Sequence, residues 1–206
     1  MRRLDRRRGI LFVVSAPSGG GKTTLVRRAL GNDLSLELSV SCTTRPPRDG
    51  EVDGRDYHFV SPTEFEVRRA AGGFVEWAEV FDHAYATPRG PLDAAIGAGR
   101  DILLDVDVQG ARSLRRAYGT DAVAIFVVPP SRTALEERLR RRGTDAETQV
   151  RRRLERAAVE VAAASEAGIY DYLVVNDDRD EAAGDLFAIV RAERLRLGRR
   201  GAVALD

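Results

Sequence analysis

The 206-residue chain contains a single cysteine, Cys42, and a single lysine, Lys22. One cysteine cannot form an internal disulfide, and this usage is typical of a reducing compartment. No apolar run approaches the roughly 20 residues that a membrane-spanning helix needs. The formal net charge of +1 gives the chain as a whole no general attraction to nucleic acid or to an anionic membrane. We therefore expect no disulfide, no nucleic-acid partner and no membrane partner.

The start of the chain, MRRLDRRRG, is basic but has no long apolar segment behind it. A secretory signal needs such a segment. The start therefore predicts a cytoplasmic protein with a frayed, solvated basic tail.

Short apolar runs alternate with helical patterns along much of the chain. Four of these runs predict strands, at 10–14, 102–106, 122–128 and 172–175. Each is almost continuously apolar, which is typical of strands buried on both faces, and each is followed by a helical pattern. The sequence therefore predicts an α/β fold, a doubly wound parallel sheet with helices on both faces.

Two segments interrupt this alternation. Residues 39–98 are rich in turns, charges and aromatic side chains, and predict an inserted unit with strands of its own. Residues 131–164 are dense in arginine and poor in apolar residues, and predict two surface helices joined at 142–144. The remaining segments form the predicted core of a single domain, about 9–38, 99–130 and 165–206.

Residues 15–24, SAPSGGGKTT, follow the first predicted strand and precede a helical pattern. They match the phosphate-loop pattern GxxxxGK[ST], except that Ala16 stands at the first glycine position. In this context the backbone N–H groups of 19–23 can surround a polyphosphate, Lys22 reaches its terminal phosphates and Thr23 holds Mg²⁺. The alternative is a flexible turn with no ligand. The predicted nucleotide-binding residues are Ala16, Pro17, Ser18, Gly19, Gly20, Gly21, Lys22, Thr23 and Thr24.

The lysine count supports the phosphate-loop interpretation. The other 32 basic side chains that carry a fixed charge are all arginine. An ammonium is a compact point charge, whereas a guanidinium is a wide planar fork. We infer a closed loop around a nucleoside triphosphate that cannot accept arginine.

Arg45 and Arg48 lie three residues apart in the inserted unit, with two prolines between them. Prolines favour a polyproline II path with three residues per turn, so both guanidinium groups should point the same way. Two convergent guanidinium groups suit a phosphate dianion. Spacing alone leaves open a solvated loop with two unrelated arginines.

A series of motifs then resembles the guanylate kinases in order and in spacing. The motifs are SCTTRPPR at 41–48, GE at 50–51, GRDY at 54–57, FVEW at 74–77, YAT at 85–87, LDVDVQG at 104–110 and RGT at 142–144. The resemblance extends from about residue 9 to about residue 197, nearly the whole chain. It implies a P-loop NTPase-type fold with a small GMP-binding insert, 39–98, and a helical lid, 131–164.

The same resemblance implies an activity. The γ-phosphoryl group of ATP, bound with Mg²⁺, passes to GMP and gives ADP and GDP, a step of purine nucleotide metabolism. ATP and GMP are the expected partners, with dGMP as a further candidate acceptor, and a homo-oligomer is left open.

The resemblance also assigns roles to residues. The residues matched to those that hold the GMP phosphate are Arg45, Arg48, Tyr57 and Tyr85. Those matched to the guanine contacts are Ser41, Glu76, Thr87 and Asp107. The predicted catalytic residues are Lys22, Arg45, Arg138, Arg142 and Arg153, the last three on the lid. The predicted Mg²⁺ contacts are Thr23 and, through water, Asp105; no other metal site is expected.

The chemistry of guanine supports the role of Glu76. The pairing edge of guanine presents a ring N–H and an amino group side by side, and one carboxylate accepts both. Adenine presents a bare ring nitrogen there, so this pairing selects GMP over AMP. Without the family context, a solvent-facing glutamate on a strand is the favoured interpretation.

Asp105 and Asp107 are two residues apart at the end of a predicted strand. Both side chains should leave the same face of that strand, at the edge where open parallel sheets bind ligands. The alternative for Asp105 is a capping role for the helix that starts near Val108.

The motif series has one departure that concerns the guanine side. Ala86 replaces the glycine usual between Tyr85 and Thr87, and Pro88 follows. A Cβ at this position puts the backbone of the predicted turn in question, and we expect altered affinity at most.

Two rival functions remain at this stage. One is a non-catalytic guanylate-kinase-like interaction module, and the intact phosphate loop and lid arginines argue against it. The other is a kinase for a different phosphorylated acceptor, such as ribose 1,5-bisphosphate, which has no need of the guanine set.

Overall fold

A computed structural model describes residues 7–32, 35–80, 82–141, 147–165 and 168–199. The predicted basic tail lies largely outside these residues.

Strands β1 to β9 are Leu11–Ser15, Leu36–Leu38, Cys42–Thr43, His58–Phe59, Phe74–Val80, His83–Pro88, Asp101–Asp105, Ala122–Val128 and Tyr172–Val175. Helices α1 to α7 are Lys22–Asn32, Pro62–Ala70, Arg89–Gly97, Val108–Tyr118, Arg132–Arg141, Glu147–Ala164 and Arg179–Leu195. Within the described ranges, no helix combines the length and the apolar character needed to cross a bilayer.

Five strands form a parallel sheet in the order β2-β7-β1-β8-β9. Its helices lie on both faces, so the predicted doubly wound α/β fold is confirmed. The four predicted strands are present within one residue at each end. Strand β2 was not predicted, because it has three residues and only Leu36 among them is buried.

Strand β1 explains why these runs are apolar throughout. Phe12 and Val14 pack in one core cluster with α1 and α7, whereas Leu11 and Val13 pack in a second cluster with α3 and α4. All five residues of β1 are buried. A strand covered on both faces has no solvent-facing positions for polar residues. This is why apolar and polar residues do not alternate along it.

The inserted segment contains a second sheet, in the order β4-β3-β6-β5. Helix α2 packs on it through Phe65, which lies in a small core with Cys42, Phe74 and Ala86. Helix α3 falls within the predicted limits of the insert, but its Leu92 packs with β1 and β7. The exact limits of the insert remain a prediction.

Helices α5 and α6 occupy the arginine-rich segment, as predicted. Their junction, 142–146, lies outside the described residues. The two helices share a core that consists of Leu135, Leu139, Val150, Leu154 and Ala157. The segment is therefore poor in apolar residues but not devoid of a packed interior.

Candidate active site

The glycine stretch forms the loop between β1 and α1. Its first half closes as a turn, in which the Gly20 N–H donates to the carbonyl of Pro17 at 2.8 Å. Gly19 and Gly21 have φ angles of 91° and 89°, in the left-handed region that side chains rarely adopt. The glycines are therefore required by the backbone path of the loop, which ends at the N-terminus of α1.

Lys22 is the first residue of α1, and its ammonium group lies at the end of β7. Its Nζ is 2.6 Å from Oδ1 of Asp105. The same nitrogen donates to the carbonyl of Val106 at 2.6 Å. The Thr23 hydroxyl lies 3.4 Å from the other carboxylate oxygen of Asp105. The predicted phosphate residue and the predicted Mg²⁺ residues therefore lie together at the carboxyl edge of the parallel sheet.

The capping alternative for Asp105 is wrong. The N-cap of α4 is Asp107, whose carboxylate accepts from the Gly110 N–H at 2.8 Å. Strand β7 ends at Asp105, so Asp107 is the residue that adopts the extended conformation before the first helical turn. Asp105 instead pairs with Lys22.

Asn176, which directly follows β9, was missed. Its Nδ2 donates to the carbonyl of Gly20 at 2.7 Å, and its buried Oδ1 has no hydrogen-bond partner among the described residues. An ideal Cβ on Gly21 would lie 2.3 Å from this Nδ2. The rule that ligands bind beyond the carboxyl ends of parallel strands could have identified Asn176, because it occupies that position after β9.

A cavity of about 210 Å³ opens beside the loop, lined by Gly19, Gly21, Arg28, Arg138, Asn176 and Arg179, among others. Its arginines make it suitable for an anion. Arg138 lies on α5, where its Nη2 donates to the carbonyl of Asn176 at 2.8 Å. Arg141 of α5, which was not predicted as a site residue, also lines this cavity.

The structure tests the remaining lid arginines only in part. Arg142 lies outside the described residues, so its catalytic role on the lid stays a prediction. Arg153 is half-buried on α6. Of the three predicted lid arginines, Arg138 is therefore the one that the structure describes beside the phosphate loop.

Three of the four predicted guanine residues lie together across β5, β6 and the start of α4. The Thr87 hydroxyl donates a short hydrogen bond to Oε1 of Glu76. Gly110 lies between the two carboxylates, since its ideal Cβ would be 3.5 Å from both Asp107 Oδ1 and Glu76 Cδ. Ser41 immediately precedes β3, whose register of Cys42 opposite Ala86 places Ser41 beside Thr87.

Burial raises the pKa of the Glu76 carboxyl above its usual range. The Thr87 hydrogen bond lowers this pKa and the charge of Asp107 raises it further. A carboxyl that is desolvated, close to a second acid and bonded to one hydroxyl is suited to a ligand that brings hydrogen-bond donors.

The predicted phosphate residues surround Arg45. Its side chain is buried, and its Nη2 lies 2.8 Å from Oε1 of Glu51. The second oxygen of Glu51 accepts from the backbone N–H of Arg48 at 2.8 Å. Glu51 was quoted in a motif but not predicted as a site residue. Its hydrogen bond to Arg45, with the Arg48 N–H second, lowers the pKa of the Glu51 carboxyl.

Two tyrosines complete this group. The ring centroids of Tyr57 and Tyr85 are 6.0 Å apart, and the Arg45 guanidinium is 5.5 Å from the Tyr57 centroid. Burial raises the pKa of the Tyr57 hydroxyl, which keeps it protonated and able to donate. A guanidinium and two phenols on one side of the insert match the requirements of a phosphate group.

The comparisons with known proteins agree with this geometry. The family model described as guanylate kinase matches residues 8–193. A guanylate kinase of Sphingopyxis alaskensis is 50% identical over 194 residues, which cover 94% of this chain and 87% of that protein. One from Rhodopseudomonas palustris is 48% identical over 200 residues, covering 97% and 89%. The crystal structure of guanylate kinase from Anaplasma phagocytophilum superposes with a TM-score of 0.75 at 35% identity, covering 97% and 93%.

The chain belongs to the guanylate kinase family. It is a nucleoside monophosphate kinase, an ATP:GMP phosphotransferase, and its substrates are nucleotides. The rival acceptor, ribose 1,5-bisphosphate, is not favoured by these findings.

The sequence of this guanylate kinase predicted a turn at Ala86, and this prediction was wrong because Ala86 lies in a strand. Ala86 lies within β6 rather than in a turn, where it pairs with Trp77 and Cys42. Its side chain is 2% exposed and packs in the small core of the insert. An extended backbone accepts any Cβ, so alanine at this position fills the core without strain.

In the described part of this kinase, no group of three or more His, Cys, Asp or Glu side chains is arranged to hold a metal ion. The Thr23 hydroxyl and the Asp105 carboxylate provide oxygen atoms, which Mg²⁺ prefers. These residues fit an ion that keeps most of its ligands from water and from a nucleotide.

Proposed function

We propose that this kinase transfers the γ-phosphoryl group of Mg²⁺-bound ATP to GMP by direct in-line displacement, with no covalent enzyme intermediate. The observation that carries the proposal is the end of β7. Asp105 and Val106 bond to Lys22 of the phosphate loop, and Asp107, two residues on, lies beside Glu76. One short segment thus separates a triphosphate site from a purine site.

On the donor side, the phosphate loop holds the polyphosphate with the amides of 19–23 other than that of Gly20, whose N–H donates to the Pro17 carbonyl. Lys22 contributes a positive charge that its contacts with Asp105 and Val106 keep at the mouth of the loop. Asn176 supports the loop through the Gly20 carbonyl. The loop therefore presents donors that need no rearrangement when the nucleotide binds, which is the arrangement that stabilises developing charge most effectively.

We further propose that Thr23 holds the Mg²⁺ that enters with ATP, and that Asp105 orients its water ligands. The ion supplies charge neutralisation on the phosphate oxygens when it is bound. The residues of this chain only position it. The Lys22 ammonium, which pairs with Asp105, holds this carboxylate in place.

On the acceptor side, Glu76 accepts the two adjacent donors of guanine, and Thr87 and Asp107 complete the contacts. The short bond from Thr87 fixes one Glu76 oxygen. Arg45, with Tyr57 and Tyr85, binds the phosphate, because Glu51 already holds the guanidinium in one orientation. Arg48 contributes the second positive charge.

Arginines of the lid stabilise the phosphoryl group during transfer. Arg138 is held at the carbonyl of Asn176, at the wall of the cavity beside the phosphate loop. Arg142 and Arg153 are assigned the same role from the family. Contacts of this kind are worth about 10³ to 10⁵ in rate in comparable enzymes. Closure of the two segments around the nucleotides would also exclude the water that competes for the phosphoryl group.

The same proposal covers the partners of the enzyme and its location in the cell. Its partners are ATP and GMP, and dGMP is an acceptor as well, since the contacts above involve the base and the phosphate. We place the enzyme in the cytoplasm, where its single cysteine stays reduced.

An acceptor panel tests the proposed function. ADP release is measured with Mg²⁺-ATP and, separately, GMP, dGMP, AMP, CMP, UMP and ribose 1,5-bisphosphate. We expect turnover with GMP and dGMP and background rates with the others. Equal rates with GMP and AMP would reject the role of Glu76, and no turnover with any acceptor would support a non-catalytic interaction module.

A further inference from the structure

A carboxylate from helix α6 binds the phosphate loop. The backbone N–H of Ser18 donates to Oε2 of Glu160 at 3.2 Å. The other oxygen, Oε1, accepts from Nε of Arg156, one turn earlier on α6, at 3.1 Å. The Glu160 side chain is 19% exposed, so this contact is largely shielded from solvent. Neither the sequence motifs nor the proposed mechanism assigns a role to Glu160.

The bonded amide has a particular place in the loop. Ser18 is the second residue of the turn that the Gly20 N–H closes onto the Pro17 carbonyl. In such a turn the N–H of the second residue takes no part in the closing bond. Glu160 binds this amide, while Asn176 binds the Gly20 carbonyl. The first half of the loop is thus fixed from two separate elements, and of the amides of 19–23 only that of Gly20 is used to close the turn.

Helix α5 contacts the same turn through apolar side chains. An ideal Cβ on Gly19 would lie 2.8 Å from Leu135 Cδ1 and 2.9 Å from Leu139 Cδ2. These leucines belong to the shared core of α5 and α6. The pair of helices therefore packs against Gly19 and also holds Ser18 through the Glu160 carboxylate.

We propose that Glu160 is a positioning residue that sets the conformation of the phosphate loop and, through it, the affinity for ATP. The inference depends on the proposed function, because it assumes that ATP binds in this loop. A carboxylate repels a polyphosphate, so Glu160 contributes by holding the Ser18 amide rather than by contact with the nucleotide. The required property is a hydrogen-bond acceptor at the end of a side chain of this length.

The test compares three substitutions of Glu160. Glu160→Ala removes the acceptor and Glu160→Asp withdraws it by one methylene, whereas Glu160→Gln retains a neutral acceptor at full length. We expect the KM for ATP to rise about tenfold or more in the first two, as expected for loss of a hydrogen bond to a charged group. The KM for GMP should stay within about twofold, and Glu160→Gln should restore the KM for ATP to near the wild-type value. Calorimetric titration with ATP in the absence of GMP should show the same order of affinities.

Glu155→Ala provides the matched control, because Glu155 is exposed on the same helix, five residues before Glu160. It should leave both KM values unchanged. The inference is overturned if folded Glu160→Asp or Glu160→Ala binds ATP within twofold of wild type, or if both KM values rise together. Melting temperatures identify a variant that has lost its fold, and Glu160→Asp is the mildest of the series. GMP turnover by the wild-type enzyme, measured alongside, tests the proposed function independently.

Discussion

The ammonium nitrogen of Lys22 lies 2.6 Å from Oδ1 of Asp105. This pair joins the first helix after the phosphate loop to the end of β7, and it keeps the only lysine of the chain at the mouth of the loop. The same nitrogen also bonds to the Val106 carbonyl at 2.6 Å, so one compact ammonium group makes both contacts. A planar guanidinium cannot reproduce both contacts from the same position.

Substitution of Lys22 by arginine should therefore impair catalysis although it conserves the charge. We expect Lys22→Arg to lower kcat/KM for ATP by about 10² to 10³-fold, the range observed when one preorganised donor is lost. Arg27→Lys, on the exposed side of the same helix, should have no effect on the rate. Steady-state kinetics at saturating GMP provide the measurement. A Lys22→Arg enzyme with wild-type kcat/KM would show that the loop accepts the wider group.

Substitution of Glu76 should alter acceptor selectivity. Glu76→Gln replaces one acceptor oxygen by an amino group, which faces a donor of guanine. We expect kcat/KM for GMP to fall by about 10²-fold, well inside the 10⁴ to 10⁵ that such polar sites can discriminate. The KM for ATP should not change. Glu79→Gln, an exposed residue of the same strand, is the comparison, and equal losses in both variants would refute the assignment.

The pH dependence of GMP use should reflect the raised pKa of Glu76. As pH falls, this carboxyl gains a proton at a higher pH than an ordinary glutamate, and it then presents a donor to the donors of guanine. The phosphate of GMP also titrates near pH 6, so the relevant quantity is the ratio of kcat/KM between wild type and Glu76→Gln. We expect this ratio to fall from pH 8 to pH 5. A constant ratio across that range would contradict a raised pKa.

The same pKa shift has a consequence for stability with a definite sign. A folded-state pKa above the unfolded value means that the unfolded chain binds fewer protons, so this group lowers the free energy of unfolding as pH rises. The cost of burying the ionised carboxylate is fully present above the raised pKa. Glu76→Gln should therefore be more stable than wild type at pH 8, and the difference should shrink toward pH 5. Denaturant unfolding at both pH values measures it, and a variant that is less stable at pH 8 would contradict this account.

Removal of the Glu51 carboxylate should weaken the binding of GMP alone. Both oxygens of Glu51 are used, one by the Arg45 guanidinium and the other by the Arg48 N–H, so Glu51→Gln presents an amino group to one of two donors. We expect the KM for GMP to rise by roughly tenfold, which corresponds to the net contribution of one hydrogen bond. The KM for ATP should stay constant. Glu64→Gln, on α2 of the same insert, is the corresponding control, and a rise in both KM values after Glu51→Gln would point to a general loss of structure.

The layout of the site followed from the sequence where local chemistry dictates structure. The phosphate loop, the strand before it and the helix after it are coded within residues 11–32, so spacing was sufficient. The motif series located the residues of the insert. The contacts made by Asn176 and Glu160 join positions that are 156 and 142 residues apart in the chain. No local sequence pattern predicts a contact over such a separation. The position of Asn176 at the carboxyl end of β9 could nevertheless have pointed to it.

Other departures have local causes. The N-cap of α4 is Asp107 because the helix begins at Val108, where the sequence predicted its start, and the cap is the residue directly before it. Ala86 was misassigned to a turn because the usual glycine suggested one, whereas β6 continues through this position to Pro88. For Ala86 the boundary of the strand was the uncertain quantity, and the residue type alone could not fix it.

A crystal structure of the enzyme with GMP, Mg²⁺ and a non-hydrolysable ATP analogue tests the central claim most directly. The account predicts the Lys22 ammonium within hydrogen-bond distance of the terminal phosphates, and both Glu76 oxygens facing the ring N–H and the amino group of guanine. An empty phosphate loop, or a Glu76 carboxylate turned away from the purine, would contradict it.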